Sequence, residues 1–469
     1  MRQFVDDYQV GAPWMSGAQI SPSAFFYIFN TKLINTTASS INNMLDIKLV
    51  RENPDLVKEN LKKKFQDQKI PLVDKVLKHD AEVRKIMFEA QQLRHERNSV
   101  SKDISESKKA GKDVSKLLQK AKDIPTKIAE LEEKQAKIES KINEIMMDIP
   151  NIVHESVPVG QSDKDNVESK KIGVPKKFDF EVLSHAELAE KLSVADFDTS
   201  ADTSGNGFYY LKGDLALLNM ALINFARDYM VKQNYQYVET PLMIRGNVLH
   251  GVFSNSEIEA MAYKIEGEDL YLIATSEHSL IGGFIGKTIE EKDLPIKLTS
   301  YSMCFRKEIG SHGIDEKGLF RTHQFNKQEM VVICKPEDSY KYYDEMLSHS
   351  IEIYKQLEIP IRVLECCSGD LADLKSKSAD LEFFSPRTNG YREFTSCSNL
   401  TDAQSRRLNI RVRGKGENYF PHTLNNTVVA TSRAMVAILE NFQNKDGSVD
   451  IPKVLQPYMG GKKKISALK

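Results

Sequence analysis

Cys304-Phe305-Arg306-Lys307-Glu308, followed after a polar Gly/Asp/Lys loop by Gly318-Leu319-Phe320-Arg321-Thr322-His323-Gln324-Phe325-Asn326-Lys327-Gln328-Glu329, is the stretch on which the reading of this chain turns. Two strands flanking a loop would set Arg306 and Glu329 near each other on one sheet surface. A planar guanidinium beside carboxylates, with an aromatic ring close by, suits a phosphate or carboxylate and a stacked base. Strand arginines often do no more than pair with glutamates, so the stretch takes its meaning from its surroundings.

On either side, short strand-like runs at 208–211, 270–273 and 330–333 alternate with helical patterns at 216–232, 338–357 and 432–442. This predicts an α+β domain built on an antiparallel β-sheet with flanking helices. No G-x-G-x-x-G follows a strand and no G-x-x-x-x-G-K-[ST] occurs, so neither a Rossmann nor a P-loop nucleotide site is signalled.

Upstream the period changes. Val76, Val83, Ala90, Arg97 and Ile104 recur every seven residues, with His79, Ile86, Leu93, Val100 and Ser107 as a companion seam. After Lys109-Ala110-Gly111-Lys112-Asp113 a second seam runs Val114, Leu117, Ala121, Ile124, Ile128, Leu131, Gln135, Ile138, Ile142 and Ile145. Alternating steps of three and four mark a coiled coil. Two such segments joined by a short Gly-containing turn fold back as an antiparallel α-helical hairpin, with arms on the order of 50 Å. Pro125 inside the second seam should kink or interrupt that helix. Lys102, Lys108, Lys109, Lys112, Lys116, Lys120 and Lys122 crowd the outer part. Such a charge run reads either as a solvated face of a dimerising or spacer coiled coil, or as a contact for a phosphate backbone. The hairpin should stop at Asp148-Ile149-Pro150-Asn151, and 151–200, rich in Pro, Gly, Ser, Asp and Lys, reads as a linker with one short helix at 185–192.

At 469 residues the chain calls for two or more domains, and 41% apolar residues suffice for packed cores. A net charge of −1 excludes a polybasic protein, so nucleic-acid contact must rest on local patches. The five cysteines, Cys304, Cys334, Cys366, Cys367 and Cys397, form no C-x-x-C pair and have no complementing His cluster. Sparse cysteine predicts buried free thiols in a reduced, cytoplasmic setting, with Cys366 and Cys367 as two strand residues facing opposite ways. No stretch approaches ~18 apolar residues, so no membrane partner is expected. Residues 1–43, aromatic-rich and closing with a polar run, read as a disordered extension or as a start placed upstream of Met44.

The opening stretch, as Phe305-Arg306-x-Glu308 and Gly318-Leu319-Phe320-Arg321-x-His323-Gln324-Phe325-x-Lys327-x-Glu329, closely resembles motif 2 of the class II aminoacyl-tRNA synthetases in its seryl form. The resemblance covers nearly everything after Met44. Asn60-Leu61 with the hairpin looks like that family's tRNA-binding arm, and Ile149-Pro150-Asn151 with Val157-Pro158-x-Gly160 like its junction. The helix ending near Lys232, then Tyr237-Val238-Glu239-Thr240-Pro241, resembles motif 1, and Thr275-Ser276-Glu277 the serine-binding T-x-E loop. Arg392-Glu393-Phe394-Thr395-Ser396-Cys397-Ser398-Asn399 and His422-Thr423-Leu424-Asn425-Asn426-Thr427 are similarly typical, and Arg433 with Glu440-Asn441 resembles motif 3. The chain departs at Val428-Val429-Ala430-Thr431-Ser432, which lacks the glycines many class II enzymes carry before the motif 3 arginine, and at Ser276, where alanine is common.

The resemblance implies a tRNA-binding arm over 44–150, a linker over 151–200 and a class II catalytic domain over 201–469. It implies ATP-dependent serine activation and transfer to the 3′ end of serine tRNA, with L-serine, ATP and Mg²⁺ in the site, a homodimer built through motif 1, and no DNA. Arg306, Glu308 and Arg433 are then the catalytic groups. Thr275, Ser276, Glu277, Arg306, Glu329, Asn425 and Thr427 would hold serine. Arg306, Lys307, Glu308, Thr322, Phe325, Glu393, Phe394, Thr395, Ser396 and Arg433 would hold ATP, with Glu393 and Ser396 as hard oxygen ligands of Mg²⁺. Two other readings stand beside this one: an amino acid:carrier-protein ligase of the same fold, whose relatives usually lack the hairpin, and a non-enzymatic scaffold, whose mark would be loss of Arg306, Glu329, Glu393 or Arg433.

Overall fold

A computed structural model of the chain describes residues 44–308 and 318–467. The expected extension at 1–43 and the polar loop after Glu308, at 309–317, lie outside them.

Two long helices, α1 (Ile70–Lys109) and α2 (Ser115–Met146), pack along each other. Pro71, in the first turn of α1, has no amide to leave unpaired there, and Gly111 closes the turn between the helices at φ +69°. The pairs Lys134–Glu82 and Lys120–Glu96 run in opposite order along the two arms, so the hairpin is antiparallel. Ile124, Ile128, Ile138 and Ile142 of the predicted second seam are buried, as are Val76, Val83, Ile86, Ala90 and Val100 of the first, whereas Arg97 is exposed. Two details differ from the periodic reading. Helix α2 passes through Pro125 without a break: one ladder bond is lost, while Ile124 and Ile128 keep the helix packed on α1. Near the root an acid occupies the seam. Asp80 is 4% exposed and accepts bonds from Arg51 Nε and Nη2 at 2.8 and 2.7 Å and from Arg84 Nε at 3.0 Å.

The rest of the chain is organised by an eight-stranded sheet. Its strands are β1 (Val167–Ile172), β2 (Gln236–Tyr237), β3 (Ile296–Phe305), β4 (Gln324–Cys334), β5 (Ile361–Glu365), β6 (Lys377–Ser385), β7 (Gly390–Asn399) and β8 (His422–Ala430). The spatial order is β1-β5-β6-β7-β8-β4-β3-β2, antiparallel throughout except where β2 runs parallel to β3. The α+β expectation is met. One sheet face is apolar: Met330 and Val332 of β4, Leu424 of β8, Cys397 of β7 and Leu381 and Phe383 of β6 are buried in one core. Helices α3 (Gly213–Lys232), α5 (Ser339–Gln356) and α6 (Thr431–Asn441) cover that face through residues such as Leu222, Tyr354 and Ile438. A short helix, α4 (Ser276–Gly282), lies by the opposite, polar face.

The stretch read as a linker carries structure of its own, because its scattered apolar residues find partners far along the chain. Residues 167–172 pair with β5 as the sheet edge, Val153 and Val157 pack with Cys366 and Leu371, and Leu188 and Leu192 enter the main core. Cys366 and Cys367 fall just beyond the end of β5 rather than within it. All five cysteines are buried and free.

The Asp80 cluster yields a prediction. Asp80→Ala leaves Arg51 partly buried without its bidentate partner, and should lower stability by about 1–2 kcal/mol. Denaturant unfolding of the two proteins checks it; an unchanged midpoint would mean that the cluster contributes nothing to the hairpin root.

Candidate active site

Alternation along strands decides which side chains meet on the polar face. On β4, Phe325, Lys327 and Glu329 are spaced by two and share a side. Thr427 of β8 sits opposite Glu329 in register, with Asn425 two residues earlier. On β7, Glu393 and Ser396 are three apart and should face opposite ways. A register shift against β6 prevents this: Ser396 pairs with Asp380, Thr395 with Leu381 and Glu393 with Glu382, leaving Phe394 as an extra, bulged residue. The bulge turns both oxygen donors to one side. It also sends the Phe394 ring into the core, edge-on to Tyr354 at 3.8 Å between centroids.

These groups line one cavity of about 680 Å³. Thr275, Glu277, Arg306, Glu308, Thr322, Phe325, Glu329, Glu393, Phe394, Thr395, Ser396, Asn425, Thr427 and Arg433 all border it. Two of the expected residues do not. Ser276 is fully buried and donates to the Ser300 carbonyl at 3.2 Å, and Lys307 lies past the wall with its amide bonded to the Met261 carbonyl.

The charges are arranged in opposed pairs. Arg306 leaves the end of β3 with its amide on the His323 carbonyl, its guanidinium 5.2 Å from the Phe325 ring centroid. Arg433, in the first turn of α6, donates to Glu393 Oε1 at 3.1 Å and lies 5.1 Å from the Phe320 ring centroid. Lys327 Nζ pairs with Glu329 Oε2 at 2.5 Å, and Thr427 Oγ1 donates to the same oxygen at 3.3 Å. At the start of α4, Thr275 caps the Glu277 amide, and the Glu277 carboxylate accepts from Gln404 Nε2 at 2.7 Å.

Burial and the neighbouring Glu329 push the Glu277 carboxyl up to about 7, against the pull of Gln404, Lys327 and Lys375. Burial and Glu393 likewise raise Asp380 to about 6. Glu393 goes the other way: burial opposes its charge, but Arg433, Lys375 and Arg306 hold it below the usual carboxylate range. An ionised carboxylate and a hydroxyl on one face match the hard-oxygen preference of Mg²⁺, so Glu393 and Ser396 fit that ion. Among the described residues Cys366, Asp370 and Asp380 also bring ligand atoms within 4.8 Å of one another, at the edge of the same cavity.

Lys327, Phe320 and Lys375 are among the lining residues that escaped the sequence reading of roles. Lys327 could have been found, since it lies two residues before Glu329 on one strand. Phe320 sits beneath Arg433 and Arg392, the latter at 3.5 Å from its centroid, and Lys375 reaches in from an irregular loop. Neither carries a periodic signal.

Comparison with known proteins places this geometry. Residues 261–442 match the family described as the tRNA synthetase class II core domain (G, H, P, S and T), and residues 44–153 match the seryl-tRNA synthetase N-terminal domain. The chain is 48% identical to the serine–tRNA ligase of Methanospirillum hungatei over 89% of its own length and 99% of that protein's, and 43% identical to that of Nitrosopumilus maritimus over 90% and 100%. Among solved structures, seryl-tRNA synthetase from Pyrococcus horikoshii complexed with ATP superposes with a TM-score of 0.87 at 41% identity, covering 91% of this chain and all of that one. The cytoplasmic serine–tRNA ligase of Naegleria fowleri in complex with AMP gives 0.82 at 36%, with the same coverage. With this identity over nearly its whole described length, and with both family domains in order, the chain belongs to the seryl-tRNA synthetase family.

Proposed function

We propose that this protein activates L-serine with ATP to seryl-adenylate and transfers the seryl group to the 3′ end of serine tRNA. The observation that carries the reading is the meeting of Glu277, Glu329 and Thr427 beside Arg306 in the cavity that also holds Arg433 and Glu393.

In the first step a serine carboxylate oxygen attacks the α-phosphorus of ATP, and the bond to the departing pyrophosphate breaks. Both reactants are anions, so the site must neutralise them and hold them in line. Arg306 is placed to bridge the α-phosphate and the serine carboxylate. Phe325 offers a face to adenine, with the backbone around Thr322 at the base edge. Arg433, near the positive end of α6, takes the γ-phosphate. Mg²⁺ held by Glu393 and Ser396 would neutralise phosphate charge when bound. Glu308, beside Arg321 at 3.7 Å, completes the nucleotide wall.

The amino acid's ammonium fits between Glu277 and Glu329. Its hydroxyl fits the Glu329–Thr427 pair, with Thr275 and Asn425 close by. A site that hydrogen-bonds a substrate hydroxyl disfavours alanine by up to ~10⁴-fold, and steric exclusion must reject threonine. In the second step the terminal ribose hydroxyl of tRNA attacks the seryl carbonyl and AMP leaves.

The tRNA reading draws on the hairpin, whose outer lysines 102, 108, 109, 112, 116, 120 and 122 are all exposed. The same hairpin disfavours the carrier-protein ligase. Helix α3 leaves Leu217, Met220 and Val231 each half exposed, and Leu242 and Met243 are exposed as well, apolar surface that a second copy would cover. No helix among the described residues is long and apolar enough to cross a membrane, and the buried free thiols suit the cytoplasm.

Two outcomes are expected. Arg306→Ala should reduce serine-dependent pyrophosphate exchange by about 10²–10³-fold or more; near-normal exchange would remove Arg306 from the reaction. Serine binding should also depend on pH. The ammonium needs Glu277 ionised, and its carboxyl in the free site titrates at about 7. Protonation below that pH therefore weakens binding, by about tenfold one unit down. Calorimetric titration of serine across this range checks it, and Glu277→Gln should flatten the profile at a weaker affinity; a profile equally steep in the variant would assign the titration to another group.

A further inference from the structure

The loop 366–376 between β5 and β6 is held from the root of the hairpin arm. Lys64 Nζ donates to the Leu371 carbonyl at 2.6 Å, Gln66 Nε2 to Asp373 Oδ1 at 2.8 Å, and Asn151 Nδ2 to the Leu374 carbonyl at 3.0 Å. Lys69 pairs with Asp373 at 3.0 Å. These contacts fix the backbone immediately before Lys375, and the Lys375 side chain enters the cavity. Its ammonium lies 3.3 Å from Ser396 Oγ and 3.5 Å from Ser378 Oγ.

No role in the activation chemistry has used this cation. It stands beside one of the two oxygens expected to take Mg²⁺, on the side of Asp380 and Glu393. A lysine amine is ordinarily charged at neutral pH, and the Asp380 and Glu393 carboxylates border the same cavity. A positive charge fixed at the phosphate end of a nucleotide cavity attracts polyphosphate whether or not a divalent ion is present.

Resting on the nucleotide reading above, we propose that Lys375 is a resident cation of the ATP site, taking part of the polyphosphate charge that an ion at Glu393 and Ser396 would otherwise carry alone. The chain then binds ATP with less dependence on divalent metal than a site without the lysine.

Calorimetry on the full-length protein with adenylyl imidodiphosphate, in EDTA and at saturating Mg²⁺, tests this. Lys375→Met keeps the length and removes the charge, and Lys375→Arg restores charge; thermal melts show that both are folded. Wild type should bind the analogue in EDTA. The Met variant should lose about tenfold there, and a clearly smaller factor with Mg²⁺, with the Arg variant close to wild type. Binding by wild type that vanishes in EDTA, an unchanged Met variant, or an equal loss with and without Mg²⁺ would each overturn the proposal. Absence of binding by wild type even at saturating Mg²⁺ would instead remove the nucleotide reading itself.

Discussion

Opposite charges held at contact distance inside a largely enclosed cleft are the constraint on which this molecule depends. Lys327 with Glu329 and Arg433 with Glu393 are pairs that would be costly to bury singly. Each is also ready to exchange partners. A substrate ammonium can share Glu329 with Lys327, and a phosphate can share Arg433 with Glu393, with little net change in buried charge. Glu277 is different. Among the described residues its carboxylate accepts a hydrogen bond from the neutral Gln404, and burial with Glu329 nearby raises its proton affinity by more than Lys327 and Lys375 offset, a deficit that an amino acid's ammonium would fill. The site is thus neutral enough to fold and unbalanced enough to bind.

The sheet makes this arrangement affordable. Antiparallel strands carry polar residues on one face and apolar ones on the other, so helices α3, α5 and α6 can seal the apolar side while the polar side stays open to ligand. The bulge at Phe394 brings Glu393 and Ser396 to the same side and commits the aromatic ring to the core. The arm root adds a mechanical link. Lys64, Gln66, Lys69 and Asn151 hold the loop that presents Lys375, so the region that would meet tRNA and the region that would meet ATP share one short piece of backbone.

What the sequence disclosed followed from periodicity and local order. The hairpin seams, the paired strands around Arg306 and the start of α6 at Arg433 repeat on fixed spacings or sit beside characteristic neighbours, and they were legible. Asp80 was not, since an acid in an apolar seam makes sense only once Arg51 is folded against it. Pro125 misled because tertiary packing outweighed the loss of one ladder bond. The stretch at 151–200 reads as a linker because partners of its apolar residues and of its strand, Cys366, Leu371 and β5, lie far along the chain. Ser276 and Lys307 adjoin lining residues in sequence, but Ser276 turns its hydroxyl to the Ser300 carbonyl from the first turn of α4, and Lys307 lies past the end of β3. Lys375 had no pattern at all to announce it; a loop lysine acquires meaning only from what the fold sets around it.

These dispersed residues should form a single seryl-adenylate pocket. A crystal structure of the protein with a sulfamoyl analogue of seryl-adenylate tests it most directly. The ammonium should lie between Glu277 and Glu329, the hydroxyl on Glu329 and Thr427, the sulfamoyl group on Arg306 and adenine against Phe325. An analogue bound away from the polar face of the sheet, or seated there with Glu277, Arg306 and Phe325 out of contact, would contradict it.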